Sequence, residues 1–191
     1  MARSRARRLG TKRPGLQSTA RSHSPTTQTI GAIARHSFTT VIPAIDCNRV
    51  MSSLLIDSYP MDNKEIEELP AAGITAILSL QTDEDLRERE IEWRAANLIF
   101  RSVPVRDFDA SDLQQKLPTC IGPDCGMMML DRMLKAGHTV YLHCTAGVKR
   151  SPTVAAGYLH WCLAWPLERA LAHVRDVRDC SPNTEAIRCA R

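Results

Sequence analysis

Residues 143–151 read HCTAGVKRS, between the apolar run TVYLHC (139–144) and the largely apolar SPTVAAGYLHWCLAW (151–165). The first flank has the length and β-branched character of a buried strand. The second suits a buried helix, with Pro152 well placed in its first turn. A strand therefore ends at His143, a tight loop begins at Cys144, and a helix opens near Ser151. Gly147 permits backbone angles that other residues resist. The N–H groups of Thr145, Ala146, Gly147, Val148, Lys149 and Arg150 can then line an anion nest, reinforced by the positive end of the helix. Arg150 adds a planar, two-pronged donor matched to phosphate oxygens.

The chemistry follows from that placement. The reactive form of a cysteine is its thiolate, which inward amides and a guanidinium favour. Cys144 in such a loop can attack phosphorus, while the loop donors and Arg150 hold the transferring oxygens. The leaving alcohol then needs a proton, and the phosphocysteine must be hydrolysed. An acid on another loop can serve both steps. The competing reading is an inert buried thiol beside a solvated cation. Strand, spacing, glycine and the Ser-Pro helix start together favour the phosphate loop. DFDASDLQQKLP (107–118) supplies three candidate acids, Asp107, Asp109 and Asp112. Spacing alone does not rank them, and any of them could cap the helix that starts near Asp112.

The flanking sequence builds an α/β domain. NKEIEELPAAG (63–73) reads as a short helix stopped by glycine, and ITAILSL (74–80) as a buried strand. DEDLREREIEWRAAN (83–97) reads as a surface helix with Trp93 packing inward, and IFRSVPV (99–105) as the next strand. MMMLDRMLKAG (127–137) is a helix with a glycine stop, and PLERALAHVRDV (166–177) an amphipathic one. Trp161 and Trp165, spaced i,i+4 on an apolar helix, are expected in the core. Alternating strands and helices predict a mainly parallel central sheet flanked by helices, with ligands at the carboxyl ends of the strands.

Charge divides the chain in two. The net charge is +4, yet no acidic residue precedes Asp46, and eight basic residues fall in the first 40. The remainder carries 17 basic against 21 acidic residues. The first 40 residues, rich in Arg, Ser and Thr, have the composition of an organelle transit peptide, with cleavage expected between residues 30 and 45. A basic arm touching nucleic acid is the other reading. Residues 41–191 form the expected catalytic domain. No stretch is long and apolar enough to span a membrane. The seven cysteines are odd in number and irregularly spaced, which argues against a secreted disulfide framework. CIGPDC (120–125) is not a CxxC, and no further pair completes a zinc site. No metal or cofactor is expected, because phosphoryl transfer through a thiolate needs none. A thiolate at Cys144 is open to oxidation, with Cys47, Cys180 or another cysteine as a disulfide partner.

VYLHCTAGVKRSP (140–152), RDFDASDLQQKLP (106–118) and CSPNTEAIR (180–188) resemble the cysteine-dependent tyrosine and dual-specificity phosphatases, whose signature is H-C-x5-R-[ST]. More narrowly, they resemble the plant starch-excess-type glucan phosphatases, over roughly residues 45–190. The resemblance implies a three-layer dual-specificity phosphatase fold. It implies Cys144 as nucleophile, Arg150 as phosphate ligand, Asp107 as general acid and Phe108 as a substrate contact beside the pocket. His143 would shape the loop and help hold the thiolate, and Ser151 would assist thiolate release. Two positions depart from the glucan enzymes, which usually carry glycine in place of Lys149 and often alanine in place of Ser151. The implied substrate is phosphoglucan in a plastid. The alternatives are a phosphoprotein, or a lipid phosphate in a mitochondrion, for which the extra cation at Lys149 is suited. A monomer is expected, with no nucleic-acid partner.

Overall fold

The computed structural model describes residues 47–86, 97–117 and 125–190. The basic segment 1–40, most of the helix expected over 83–97 with Trp93, and Cys120 lie outside those residues. Five strands form one sheet in the order β1-β2-β5-β3-β4. They are β1 (Asn48–Met51), β2 (Leu54–Asp57), β3 (Ala76–Ser79), β4 (Ile99–Ser102) and β5 (Val140–His143). β1 and β2 are antiparallel across the short Ser52-Ser53 connection. The β2–β5, β3–β5 and β3–β4 pairings are parallel. Parallel neighbours need long crossovers, and helices supply them here.

β2, β3 and β5 are buried at every position, which explains why their sequences are apolar rather than alternating. Each strand feeds two cores. Leu54, Ile56, Ala76, Leu78, Val140 and Leu142 face the larger one. Leu55, Ile77 and Tyr141 face a smaller one closed by Leu69 and Ile74. Seven α-helices complete the described fold: α1 (Asn63–Glu68), α2 (Asp83–Leu86), α3 (Ala110–Lys116), α4 (Gly126–Lys135), α5 (Arg150–Gly157), α6 (Leu167–Val177) and α7 (Thr184–Cys189). α4 and α5 pack on the sheet, and α5 is buried at all its residues. A helix with no exposed face has to be central, and its buried polar residues, Arg150, Ser151 and Thr153, are all hydrogen-bonded.

Two readings of the sequence are corrected. The helix expected over 151–165 is regular only to Gly157, then widens into a π-helical turn, Tyr158–Cys162, before Ala164 takes φ +56°. The widened turn breaks the i,i+4 relation between the two tryptophans. Trp161 is 40% exposed and donates from its indole to the Ile187 carbonyl at 2.9 Å. Trp165 is half-buried and, as expected, packs against the larger core, with the Arg169 guanidinium 4.2 Å from its ring centroid. The β1–β2 hairpin and α7 were not anticipated at all. α7 starts at the Asn183 cap, which accepts from Ala186 N at 3.0 Å.

The register places the site. Asp57 and Ser79 both pair with His143, and Ser79 pairs with Ser102. Four parallel strands thus end level, and the loops that follow them emerge along one edge.

Candidate active site

Cys144 follows the last residue of β5, on that edge. Every carbonyl from Cys144 to Lys149 is tied to a donor outside the loop. Cys144 O meets His143 Nδ1 at 3.3 Å. Thr145 O accepts from Tyr59 N at 3.0 Å, and Val148 O from Ser181 N at 2.8 Å. Ala146 O and Gly147 O accept from Arg178 at 3.3 and 3.0 Å. Lys149 O accepts from Thr153 N at 2.9 Å. In a trans peptide the carbonyl of one residue and the N–H of the next point to opposite sides. The N–H groups of residues 145–150 therefore face the side those partners do not occupy. Gly147 makes the turn with φ +67°, where a side chain would be strained.

Cys144 is only 2% exposed and counts among the buried residues of the larger core. It lines a cavity of about 160 Å³ with Asp107, Phe108, Ala146, Val148, Lys149 and Arg150. Its sulfur lies 3.4 Å from Ser151 Oγ.

Arg150 opens α5 and is 2% exposed. Nη1 donates to Asp85 Oδ2 at 2.7 Å and to the Val105 carbonyl at 2.9 Å. Nη2 donates to Thr145 Oγ1 at 2.8 Å and to Asp107 Oδ2 at 3.1 Å. Nε has no hydrogen-bond partner among the described residues. A buried guanidinium is tolerated because two carboxylates answer it. Burial by itself would raise the Asp85 carboxyl, but the hydrogen bond and charge of Arg150, with the Thr82 contacts, hold it below its ordinary value. Gln81 Nε2 donates to Thr145 Oγ1 at 3.2 Å, extending this network to the end of β3.

The three candidate acids separate in space. Asp109 caps α3, accepting from Asp112 N at 3.0 Å. Asp112 holds the loop by accepting from Arg106 N at 2.7 Å. Asp107 faces the cavity and Arg150. Phe108 is 88% exposed with φ +59°, so it is not a core residue. A bulky residue held in the left-handed region points to a local role for its side chain. Its ring sits at the mouth of the cavity with Lys149 Nζ 5.5 Å from the centroid.

His143 is fully buried between Tyr59 and Tyr141, ring centroids 5.8 and 5.6 Å away. Burial lowers it from its ordinary 6.5 to about 4, against the pull of the Cys144 carbonyl and with a smaller push from Arg150. It is therefore neutral at pH 7. Since a carbonyl only accepts, Nδ1 carries the proton, and the ring holds the loop through the Cys144 carbonyl rather than by charge. Between pH 6.5 and 4 the unfolded chain binds a proton here that the folded chain refuses. Stability thus rises with pH across this window and is lost on acidification, by about 3 kcal/mol from this group. Urea unfolding as a function of pH checks it: in His143→Gln the slope between those pH values should fall by about one proton.

Asp85, Gln81, Asp57 and Arg178 did not emerge from sequence reasoning. Only Asp85 carried a usable signal, as an acid just past the carboxyl end of a parallel strand. Among the described residues, Cys144, Cys162 and Cys180 are free thiols. No described helix is long and apolar enough to cross a membrane.

A family model for DSP-PTPase phosphatases of polymorphic toxin systems matches residues 56–164, which include the Cys144 loop and the Asp107 loop. The chain belongs to the DSP-PTPase phosphatases. Among curated relatives, the chloroplastic phosphoglucan phosphatase LSF1 of Arabidopsis thaliana is 31% identical over 147 residues, 73% of this chain and 24% of that protein. The amyloplastic phosphoglucan phosphatase DSP4 of Castanea sativa is 27% identical over 174 residues, 86% of this chain and 44% of that protein. This DSP-PTPase chain thus spans less than half the length of either relative. Among solved structures, the active form of Tk-PTP superposes with a TM-score of 0.61 at 23% identity, covering 75% of this chain and 91% of that one. That likeness shows the dual-specificity phosphatase fold, with its Cys-x5-Arg loop between β5 and α5.

Proposed function

We propose that this DSP-PTPase chain is a metal-independent phosphomonoester hydrolase with Cys144 as nucleophile. The observation that carries the reading is the loop in which six consecutive carbonyls are each tied to a donor outside it, which leaves the intervening amides for an anion, beside an Arg150 Nε with no partner among the described residues. A phosphate dianion in that nest takes Nε and displaces Asp107 from Nη2, giving the guanidinium a two-pronged grip. The sulfur of Cys144 attacks phosphorus, the ester P–O bond breaks, and Asp107 delivers a proton to the departing oxygen. Water then attacks the phosphocysteine, giving its proton to the Asp107 carboxylate. The P–S bond breaks, Ser151 Oγ–H steadies the departing sulfur, and inorganic phosphate leaves.

Asp107→Asn is expected to cut turnover of an alkyl phosphate by about 100-fold or more, because that leaving group cannot depart unprotonated. Asp109→Ala should leave turnover in place and cost about 1 kcal/mol of stability through the α3 cap. Steady-state rates and urea titrations on the two variants separate acid from cap. Unchanged turnover in Asp107→Asn removes it from the mechanism.

The substrate proposed is phosphoglucan in a plastid, supported by relatives that are phosphoglucan phosphatases of chloroplast and amyloplast. Residues 1–40 would serve as the transit peptide and 41–191 as the catalytic domain. One feature favours a second reading. Lys149 puts an ammonium at the cavity mouth, over Phe108, which suits a more anionic phosphoprotein or phospholipid phosphate. Phosphate release from solubilised amylopectin, a phosphotyrosyl peptide and phosphatidylglycerol phosphate tests both. Release fastest from amylopectin supports the glucan reading, and peptide or lipid in first place overturns it.

A further inference from the structure

Arg178 follows the last residue of α6, far in sequence from the Cys144 loop, yet its side chain reaches under that loop. Nε donates to the Gly147 carbonyl at 3.0 Å and Nη2 to the Ala146 carbonyl at 3.3 Å. Nη1 turns the other way, to Asn48 Oδ1 at 2.6 Å and Asp57 Oδ1 at 2.9 Å. Asp57, the last residue of β2, is 4% exposed, and its carboxylate also accepts from Ser58 N. Every nitrogen of this guanidinium is thereby committed to protein acceptors.

The loop lies tightly on this pair. A Cβ at Gly147 would stand 2.6 Å from the backbone carbon of Asp57 and 2.7 Å from Arg178 Nη2. Ala146 and Gly147 form the turn, where a peptide plane can rotate either way unless a donor holds its carbonyl. A rotated plane would point a carbonyl oxygen at the anion in place of an N–H, reversing the sign of that contact.

The geometry points to Arg178 as a positioning residue for the phosphate loop, with Asp57 as the counter-charge that anchors it. By holding the Ala146 and Gly147 carbonyls away, it turns the N–H groups of Gly147 and Val148 toward the phosphate. Four of its five N–H donors go to these carbonyls and to Asp57 and Asn48, which places its action on the loop. This role rests on the hydrolase reading of Cys144.

The test uses the full chain as wild type, Arg178→Ala, Arg178→Lys and Asp57→Asn. Three quantities are read: turnover of para-nitrophenyl phosphate, competitive inhibition by tungstate, and the ratio of Cys144 alkylation by iodoacetate to that by iodoacetamide. Thermal unfolding gives the native fraction of each variant at the assay temperature. For Arg178→Ala, kcat/KM should fall about 100-fold, the scale of a misplaced binding geometry. Tungstate should bind about tenfold more weakly, and the preference for the anionic alkylating agent should shrink. Arg178→Lys, which keeps one donor and the charge beside Asp57, should recover part of each loss, and Asp57→Asn should move all three the same way. A folded Arg178→Ala with unchanged tungstate inhibition and alkylation ratio overturns the assignment. So does a loss of activity that only tracks the native fraction. Should the alanine variant not fold, the lysine and asparagine variants decide on the same readouts. A wild-type chain that prefers iodoacetate but turns over no phosphate ester counts against the hydrolase reading, while the two binding readouts still judge Arg178.

Discussion

Cys144→Ser is expected to lower turnover of para-nitrophenyl phosphate by on the order of 10⁴-fold or more, the scale seen when a covalent nucleophile is removed. The hydroxyl is smaller than the thiol and stays protonated near neutrality, so nothing in the loop can attack phosphorus. The anion nest is built from other atoms. Its carbonyls are held by His143, Tyr59, Arg178, Ser181 and Thr153, none of which touches the sulfur in doing so. Tungstate binding should therefore survive in the serine variant while turnover disappears. Titration calorimetry beside a steady-state assay reads both. Equal rates in wild type and Cys144→Ser would end the enzyme reading and leave a phosphate-binding module.

Arg150→Lys should cost about 10³-fold in kcat/KM, within the range for removing a guanidinium from a phosphoryl-transfer site. The charge survives but the planar fork does not. Arg150 does several jobs with separate nitrogens: Nη1 ties Asp85 and the Val105 carbonyl, and Nη2 ties Thr145 and Asp107. An ammonium cannot present Nε and Nη2 to two phosphate oxygens and also bridge the ends of β3 and β4. Affinity for phosphate and turnover should fall together, because ground state and transition state share this contact. A lysine variant with unaltered kcat/KM would show that the loop amides suffice, and the two-pronged grip would be wrong.

The three acids near residue 107 show where one-dimensional reading stops. Asp107, Asp109 and Asp112 are chemically equal in the sequence, and a helix cap and a proton donor call for the same residue type. The fold separates them by direction: Asp109 turns along the chain to cap α3, Asp112 turns back to Arg106 N, and Asp107 turns across to Arg150. Trp161 and Trp165 make the opposite point. Their spacing promised burial, but a π-helical turn altered the phase of the helix and left Trp161 at the surface.

The sequence by itself determined the strand, loop and helix around Cys144, because a phosphate-binding turn is local: apolar strand, glycine, arginine and helix start follow one another within a dozen residues. Most of the sheet was legible for the same reason, since short apolar runs and glycine stops act over neighbouring positions. The tertiary structure alone decided which charges meet that loop. Asp85 and Arg178 lie 65 and 31 positions from the loop residues they support, Arg150 and Gly147, and the Asp57 carboxylate reaches the loop through Arg178. No periodicity links such positions. Only parallel strands ending at one level bring them to the same edge, where burial turns ordinary surface charges into the supports of the site.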